Sequence, residues 1–179
     1  MKELSMHILD IVMNSVKAEA KLIEITVIES LKTNSIKITI KDDGKGMSKE
    51  TLENVTDPFY TTRTTRKVGL GLSMLKETCE RCNGYLKISS KPGIGTVVES
   101  TFERNNIDRA PIGNIGDTIL VIINSLTNGE LIYNHEVDGK KFTISTYQLK
   151  EILGNVNIND SNVMMWIKDY VNENIKELY

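Results

Sequence analysis

Hydrophobic and polar positions along the chain follow two periods, which together predict a mixture of helices and strands. From Glu3 to Ala20, apolar residues recur every three or four positions, the spacing of an amphipathic helix. The stretches LIEITVIES and SIKITIKD alternate apolar and polar side chains, and the residues LKTN between them predict a β-hairpin. Residues Leu70 to Cys82 again have helical spacing, and Asn83-Gly84 is typical of a helix end.

Further elements follow the same reasoning. Ser48 predicts the cap of a short helix ending near Val55, while YLKISS and TVVESTFER predict strands joined by the turn KPGIG. A linker-like stretch then leads into a region of different character. This region predicts a helix from Asp117 to Leu126, a hairpin around Asp138-Gly139, a helix from Thr146 to Leu153 and a last helix capped by Asp160. We therefore expect an α/β domain in residues 1–104 and a small α+β C-terminal extension in residues 105–179.

Composition and charge exclude several classes of protein. The formal net charge of −2 over 179 residues gives no sign of nucleic-acid binding. No apolar run approaches the roughly 20 residues needed to span a bilayer, and the charged start MKELSMHILD is unlike a signal peptide. Residues 1–104 carry 16 Lys and Arg against 14 Asp and Glu, whereas residues 105–179 carry 6 against 10. We expect a cytoplasmic protein that binds an anionic ligand in its first part.

One stripe of the first helix carries candidate chemistry. His7, Asp10, Asn14 and Lys17 follow one another at spacings of three and four, so they share one side of the helix. This stripe is either the solvated face of an amphipathic helix or a functional surface. In the second case, Asn14 would be an oxygen ligand for a metal, Asp10 would orient or deprotonate a nucleophile, and Lys17 would lie near phosphates.

Two glycine-containing stretches are also candidates. DDGKGM, from Asp42 to Met47, is either a tight turn or a site where a carboxylate accepts a hydrogen bond from a base amine. TTRTTRKVGLGLSML, from Thr61 to Leu75, is either a glycine-containing helix start or a loop whose N–H groups surround a polyphosphate.

The order of these stretches resembles a known family. Asn on a helix, D-x-G-x-G after a strand, P-F, G-L-G-L opening a helix and GIGT before a strand are together similar to the GHKL ATPase and kinase superfamily. The resemblance covers roughly Leu4 to Arg104. DPFYTTR, VGLGLSMLK and CNGYLKISSKPGIGT look most like the catalytic domain of bacterial histidine kinases. The resemblance implies a Bergerat fold, a two-layer α/β sandwich with a mixed sheet, that binds ATP and Mg²⁺.

The resemblance also implies roles for individual residues. Asn14 resembles the magnesium ligand, Asp42 the adenine-reading aspartate, and Thr96 the threonine that supports the adenine through the aspartate and water. The resemblance implies that further residues bind ATP, namely Gly44, Gly46, Met47, Gly69, Leu70, Gly71 and Leu72. Looser matches are Lys17 and three cations of a lid over the ATP, Arg63, Arg66 and Lys67.

Two departures from the family shape the expected function. The helix with Asn14 begins almost at residue 1, so we expect that this protein lacks a phosphoacceptor domain. Asp10 occupies the helix position at which the similar ATPases and serine kinases have a glutamate. The resemblance therefore implies that Asp10 is either a general base or an anchor near the metal. We expect transfer of the γ-phosphoryl group to a separate partner protein. The alternative is an ATP-gated interaction module with slow or no hydrolysis, and a homodimer is possible in either case.

Overall fold

The computed structural model describes residues 2–57 and 70–179, which contain one mixed β-sheet and a set of helices. The strands are β1 (Leu22–Ser30), β2 (Ser35–Asp42), β3 (Leu86–Lys91), β4 (Gly95–Glu103), β5 (Glu130–Val137) and β6 (Lys140–Ser145). The helices are α1 (Leu4–Lys17), α2 (Lys49–Asn54), α3 (Leu70–Arg81), α4 (Ile115–Ser125), α5 (Thr146–Leu153) and α6 (Ser161–Glu177).

The sheet has the strand order β3-β4-β2-β1-β5-β6. Neighbouring strands are antiparallel except for β1 and β5, which are parallel. Parallel neighbours need a long connection, and here the described part of the chain between β1 and β5 includes three other strands and three helices. The expected mixed sheet is therefore confirmed.

One face of the sheet is buried under helices. In β1, Ile23, Ile25 and Val27 are fully buried, while the residues between them are partly exposed. Helix α1 packs against α3 and α4, and α4 packs against α6, so these helices form one layer over the sheet. Their apolar sides and the buried strand positions form a single core. The predicted two-layer α/β sandwich is confirmed.

Most predicted elements form close to their expected positions. Ser48 caps α2 by accepting a hydrogen bond from the Thr51 N–H, and Asn83 after α3 has a positive φ of 53°. Helix α4 begins at Ile115, two residues earlier than predicted. The reason is that the Asn114 side chain caps this helix by accepting from the Asp117 N–H.

The C-terminal residues extend the sheet of the first part of the chain. Strand β5 pairs with β1 along its whole length, and α4 packs on α1. In α6, Ile167 and Val171 are fully buried, while Trp166 is 48% exposed. The division into two domains at residue 104 remains a prediction. No helix within residues 2–57 and 70–179 is long and apolar enough to cross a membrane.

Candidate functional site

The sheet brings three polar residues into one row across its buried face. Asp42 is the last residue of β2, Thr96 lies opposite it in β4, and Ser90 lies opposite Thr96 in β3. Directly opposed residues of antiparallel strands share a face, so the three side chains are neighbours on the side covered by helices. This row forms the polar end of a face that is otherwise mainly apolar.

Asp42 is the centre of a hydrogen-bond network. Asp42 is buried, with only 9% of its surface exposed. Oδ2 accepts from the Ser15 hydroxyl at 2.6 Å, and Oδ1 accepts from the N–H groups of Gly44 at 2.9 Å and Thr96 at 3.2 Å. These three donors fix the orientation of the carboxylate. A group that recognises a ligand by direct hydrogen bonds must be held in a fixed orientation.

Backbone contacts hold the loop after Asp42 in place. The Lys45 N–H donates to the Ala18 carbonyl at 2.9 Å, which ties the loop to the end of α1. A β-carbon at Gly46, where φ is +66°, would lie 2.1 Å from the Lys91 carbonyl oxygen. A β-carbon at Gly44 would lie 2.8 Å from the Ala18 carbonyl oxygen. Close backbone packing therefore requires glycine at both positions.

Asp10 lies against the first turn of α3. A β-carbon at Gly71 would be only 1.6 Å from Asp10 Oδ2, so the carboxylate occupies the space that any other residue would need. The fold therefore places Asp10 beside the glycine-containing helix start, 61 positions away along the chain. A carboxylate at this place also faces the positive end of the α3 dipole.

The stripe of α1 does not lie wholly in solvent. His7 is 3% exposed, Asp10 is half-buried, and Asn14 and Lys17 are exposed. The Thr78 hydroxyl donates to the Met74 carbonyl, so it accepts from His7 Nε2–H at 3.4 Å. Burial lowers the pKa of His7, which keeps the imidazole neutral. The interpretation of the whole stripe as a solvated face is wrong for His7.

The remaining predicted residues fall into two groups. Met47 donates its N–H to Ser90 Oγ at 2.8 Å, and Leu72 packs against the core, while Leu70 is 43% exposed. Arg63, Arg66, Lys67 and Gly69 lie outside the described residues, so their expected roles at the phosphates stay predictions.

Sequence reasoning missed two residues of this network. Ser15 follows Asn14 directly and faces the sheet, where it contacts Asp42. Ser90 would have been found by counting outward from the KPGIG turn, because the residue before this turn pairs with Thr96. For Ser15, the signal was a small polar residue on the apolar side of an amphipathic helix.

Comparison with known proteins identifies the family. Residues 2–106 match the family described as histidine kinase-, DNA gyrase B-, and HSP90-like ATPase. The chain belongs to this family. It contains an ATP-binding, histidine kinase-like catalytic domain, and the resemblance stated from the sequence is confirmed.

Relatives of the histidine kinase-like domain include bacterial kinases. The chain is 37% identical over 95 residues to the sensor histidine kinase YvrG of Bacillus subtilis (strain 168), a match that covers 51% of this chain and 16% of that protein. It is 31% identical over 97 residues to sporulation kinase C of the same strain, covering 54% of this chain and 22% of that protein. The match thus spans less than a quarter of the length of either relative.

A solved structure extends the likeness to the whole chain. The N-terminal domain of a DNA repair protein aligns with 100% of this chain and 57% of its own chain, with a TM-score of 0.53 and 17% identity. At this identity the likeness concerns the fold alone. It includes the strands and helices of residues 105–179.

Proposed function

We propose that the histidine kinase-like domain binds Mg-ATP between the Asp42 end of the sheet and the first turn of α3, and transfers the γ-phosphoryl group to a separate protein in the cytoplasm. Asp42 would accept a hydrogen bond from the adenine amino group. The phosphates would lie at the start of α3, because free N–H groups and the helix dipole attract anions there. Lys17, at the end of α1, would add a positive charge.

The donor set suits magnesium only if the nucleotide supplies most of the ligands. Within residues 2–57 and 70–179, no cluster of three or more His, Cys, Asp or Glu could hold a metal ion. Magnesium at nucleotide sites commonly uses one or two protein oxygens together with phosphates and water. The exposed amide of Asn14, one turn after Asp10, fits this requirement. Bound magnesium would neutralise phosphate charge during transfer.

The observation that carries the proposal is the contact between Asp10 and Gly71. It puts a carboxylate at the helix start where the terminal phosphates would lie. From there Asp10 could take the proton of an attacking hydroxyl or water as its oxygen forms a bond to the γ-phosphorus. The bond between the γ-phosphorus and the β,γ-bridging oxygen would then break, and its electron pair would leave with ADP.

The proposal is tested by measuring ATP affinity and phosphoryl transfer side by side. Four proteins are compared: the parent, Asp42→Asn, Asp10→Asn and the control Asp169→Asn. Asp169 is exposed on α6 and receives the same chemical change. Transfer is followed with γ-labelled ATP, first with the protein alone and then with cell extract.

We expect Asp42→Asn and Asp10→Asn to be impaired in different measurements. Asp42→Asn should weaken ATP binding by ~1–3 kcal/mol, since a buried polar group loses its partner. Asp10→Asn should bind ATP almost normally but transfer phosphoryl about 10²–10⁴-fold more slowly. ATP affinity unchanged in Asp42→Asn would overturn the base assignment. Tight binding without turnover in the parent, with every extract tried, would favour the ATP-gated module.

A further inference from the structure

The hydroxyl of Ser90 makes three hydrogen bonds at the base-reading end of the site. It accepts from the Met47 N–H at 2.8 Å and donates to the Gly95 carbonyl at 3.0 Å. It also lies 2.9 Å from the hydroxyl of Thr96, where either oxygen could be the donor. Ser90 therefore joins the loop after Asp42 to the start of β4.

Counting protons decides the direction of the third bond. A serine hydroxyl has one hydrogen and two lone pairs. The Gly95 carbonyl can only accept, so it takes the Ser90 proton, and the Met47 N–H occupies one lone pair. The remaining lone pair must accept the proton of Thr96. This is the one assignment in which each of the three contacts has a donor and an acceptor.

The assignment changes what Thr96 offers to a ligand. Its hydroxyl proton is committed to Ser90 and its N–H to Asp42 Oδ1. The carboxylate of Asp42, already surrounded by donors, also only accepts. The side chains of Asp42 and Thr96 thus present lone pairs and no hydrogens to a nucleotide base.

We propose that Ser90 is a specificity-determining residue, because it holds Thr96 as an acceptor and so restricts the site to purines with a 6-amino group. This inference rests on the proposed function, in which Asp42 reads the base. A 6-oxo purine would place carbonyl lone pairs against the oxygens of both side chains. Without Ser90, the Thr96 hydroxyl could turn and donate to that carbonyl.

The test measures the dissociation constants of ATP and of inosine triphosphate, and takes the ratio between them. The parent should prefer ATP by at least about 100-fold, as expected of a site whose polar groups match one ligand. Ser90→Ala should lower this ratio about tenfold, mainly through tighter binding of inosine triphosphate. The matched control is Ser89→Ala, because Ser89 is exposed on the opposite face of β3.

A double variant separates this role from general loosening of the site. In Thr96→Val the hydroxyl is absent, so adding Ser90→Ala to it should leave the ratio unchanged. An equal fall of the ratio in the presence and absence of the Thr96 hydroxyl would overturn the inference. The inference would also be overturned if Ser90→Ala left the ratio unchanged while Asp42→Asn still weakened ATP binding. That result would leave the proposed function intact. Failure of the parent to bind ATP would overturn both.

Discussion

At the scale of single residues, Gly71 has the Asp10 carboxylate where any other residue would carry its β-carbon. Glycine is a poor helix former, by roughly 1 kcal/mol relative to alanine, yet it occupies the second position of α3. The local preference of the helix is overridden here by a contact with another helix. The need for glycine at position 71 thus comes from the contact with Asp10 and not from a turn, because Gly71 lies inside α3.

Gly71→Ala separates these two effects. The new methyl group would displace the Asp10 carboxylate, which is the flexible end of a side chain, while α3 gains helix propensity. We expect thermal stability to hold or rise slightly and phosphoryl transfer to fall to about the level of Asp10→Asn, roughly 10²–10⁴-fold. Unfolding midpoints and turnover on the same preparations check this. Full turnover in Gly71→Ala would contradict a role for the position of Asp10.

At the scale of elements, the β5–β6 hairpin is tied to the neighbouring β1–β2 hairpin through its turn. Asp138 and Gly139 both have positive φ, 45° and 92°, as a two-residue type I′ turn requires. The Asp138 carboxylate accepts from the Leu31 N–H at 3.1 and 3.2 Å and from the Ser30 hydroxyl at 3.3 Å. One turn residue therefore holds two hairpins in register.

Asp138→Ala should destabilise the protein by about 1–3 kcal/mol. It removes solvent-exposed hydrogen bonds to the Leu31 N–H and the Ser30 hydroxyl. The larger effect is that it puts a residue with less tolerance for positive φ into the turn. Chemical denaturation of the parent and the variant measures the difference. The control is Thr143→Ala on the same hairpin, which removes one exposed bond to Asn134 and should cost less than about 0.5 kcal/mol. Equal losses in the two variants would refute the tie between the hairpins.

At the scale of the whole molecule, a buried polar cluster joins distant parts of the chain at the end of β1 farthest from Asp42. Glu29 is 3% exposed and contacts His135 Nε2 at 3.0 Å and the hydroxyl of Tyr179. His135 Nδ1 lies 2.8 Å from the Tyr133 hydroxyl, and Arg104 forms an ion pair with Glu29 at 3.5 Å. The cluster connects Tyr179 to β1, one of the two central strands of the sheet.

These contacts predict a loss of stability in acid. Burial alone would raise the pKa of Glu29, but the hydrogen bonds from His135 and Tyr179 outweigh burial and lower this pKa. A lowered carboxyl pKa contributes stability above the pKa of the unfolded chain, and this contribution is lost as the pH falls through the lower pKa of the folded state. The free energy of unfolding should therefore fall as the pH drops below the ordinary glutamate value of 4.5.

Tyr179→Phe tests the contribution of the last residue to this behaviour. The variant should lose about 1.5–3 kcal/mol near neutral pH, as expected for a hydrogen bond to a charged group. It should lose less of its remaining stability in acid, because Glu29 then has a pKa closer to its unfolded value. Denaturation at several pH values between 3 and 7 gives both numbers. Parallel stability curves for the parent and the variant would show that Tyr179 does not act through the Glu29 charge.

Local patterns in the sequence predicted the elements and the order of the candidate site residues. Alternation along β1 and β2, the helical spacing of α1 and α3, and the turn residues between them depend on near neighbours, which a sequence displays directly. The roles expected of Asn14, Asp42 and Thr96 came from the resemblance of short motifs to a known family, and they stay predictions. Helix starts were less certain, as the Asn114 cap of α4 shows.

The sequence by itself thus determined the family, the element types and the two-layer class, because these follow from local periodicity and from short motifs. Only the tertiary structure decided that β5 lies parallel to β1, that Asp10 faces Gly71, and that Ser15 and Ser90 complete the network of Asp42. Glu29 meets Tyr179 across 150 positions of the chain. Such contacts depend on how whole elements pack and on the entropy of closing long loops, neither of which leaves a periodic trace in the sequence.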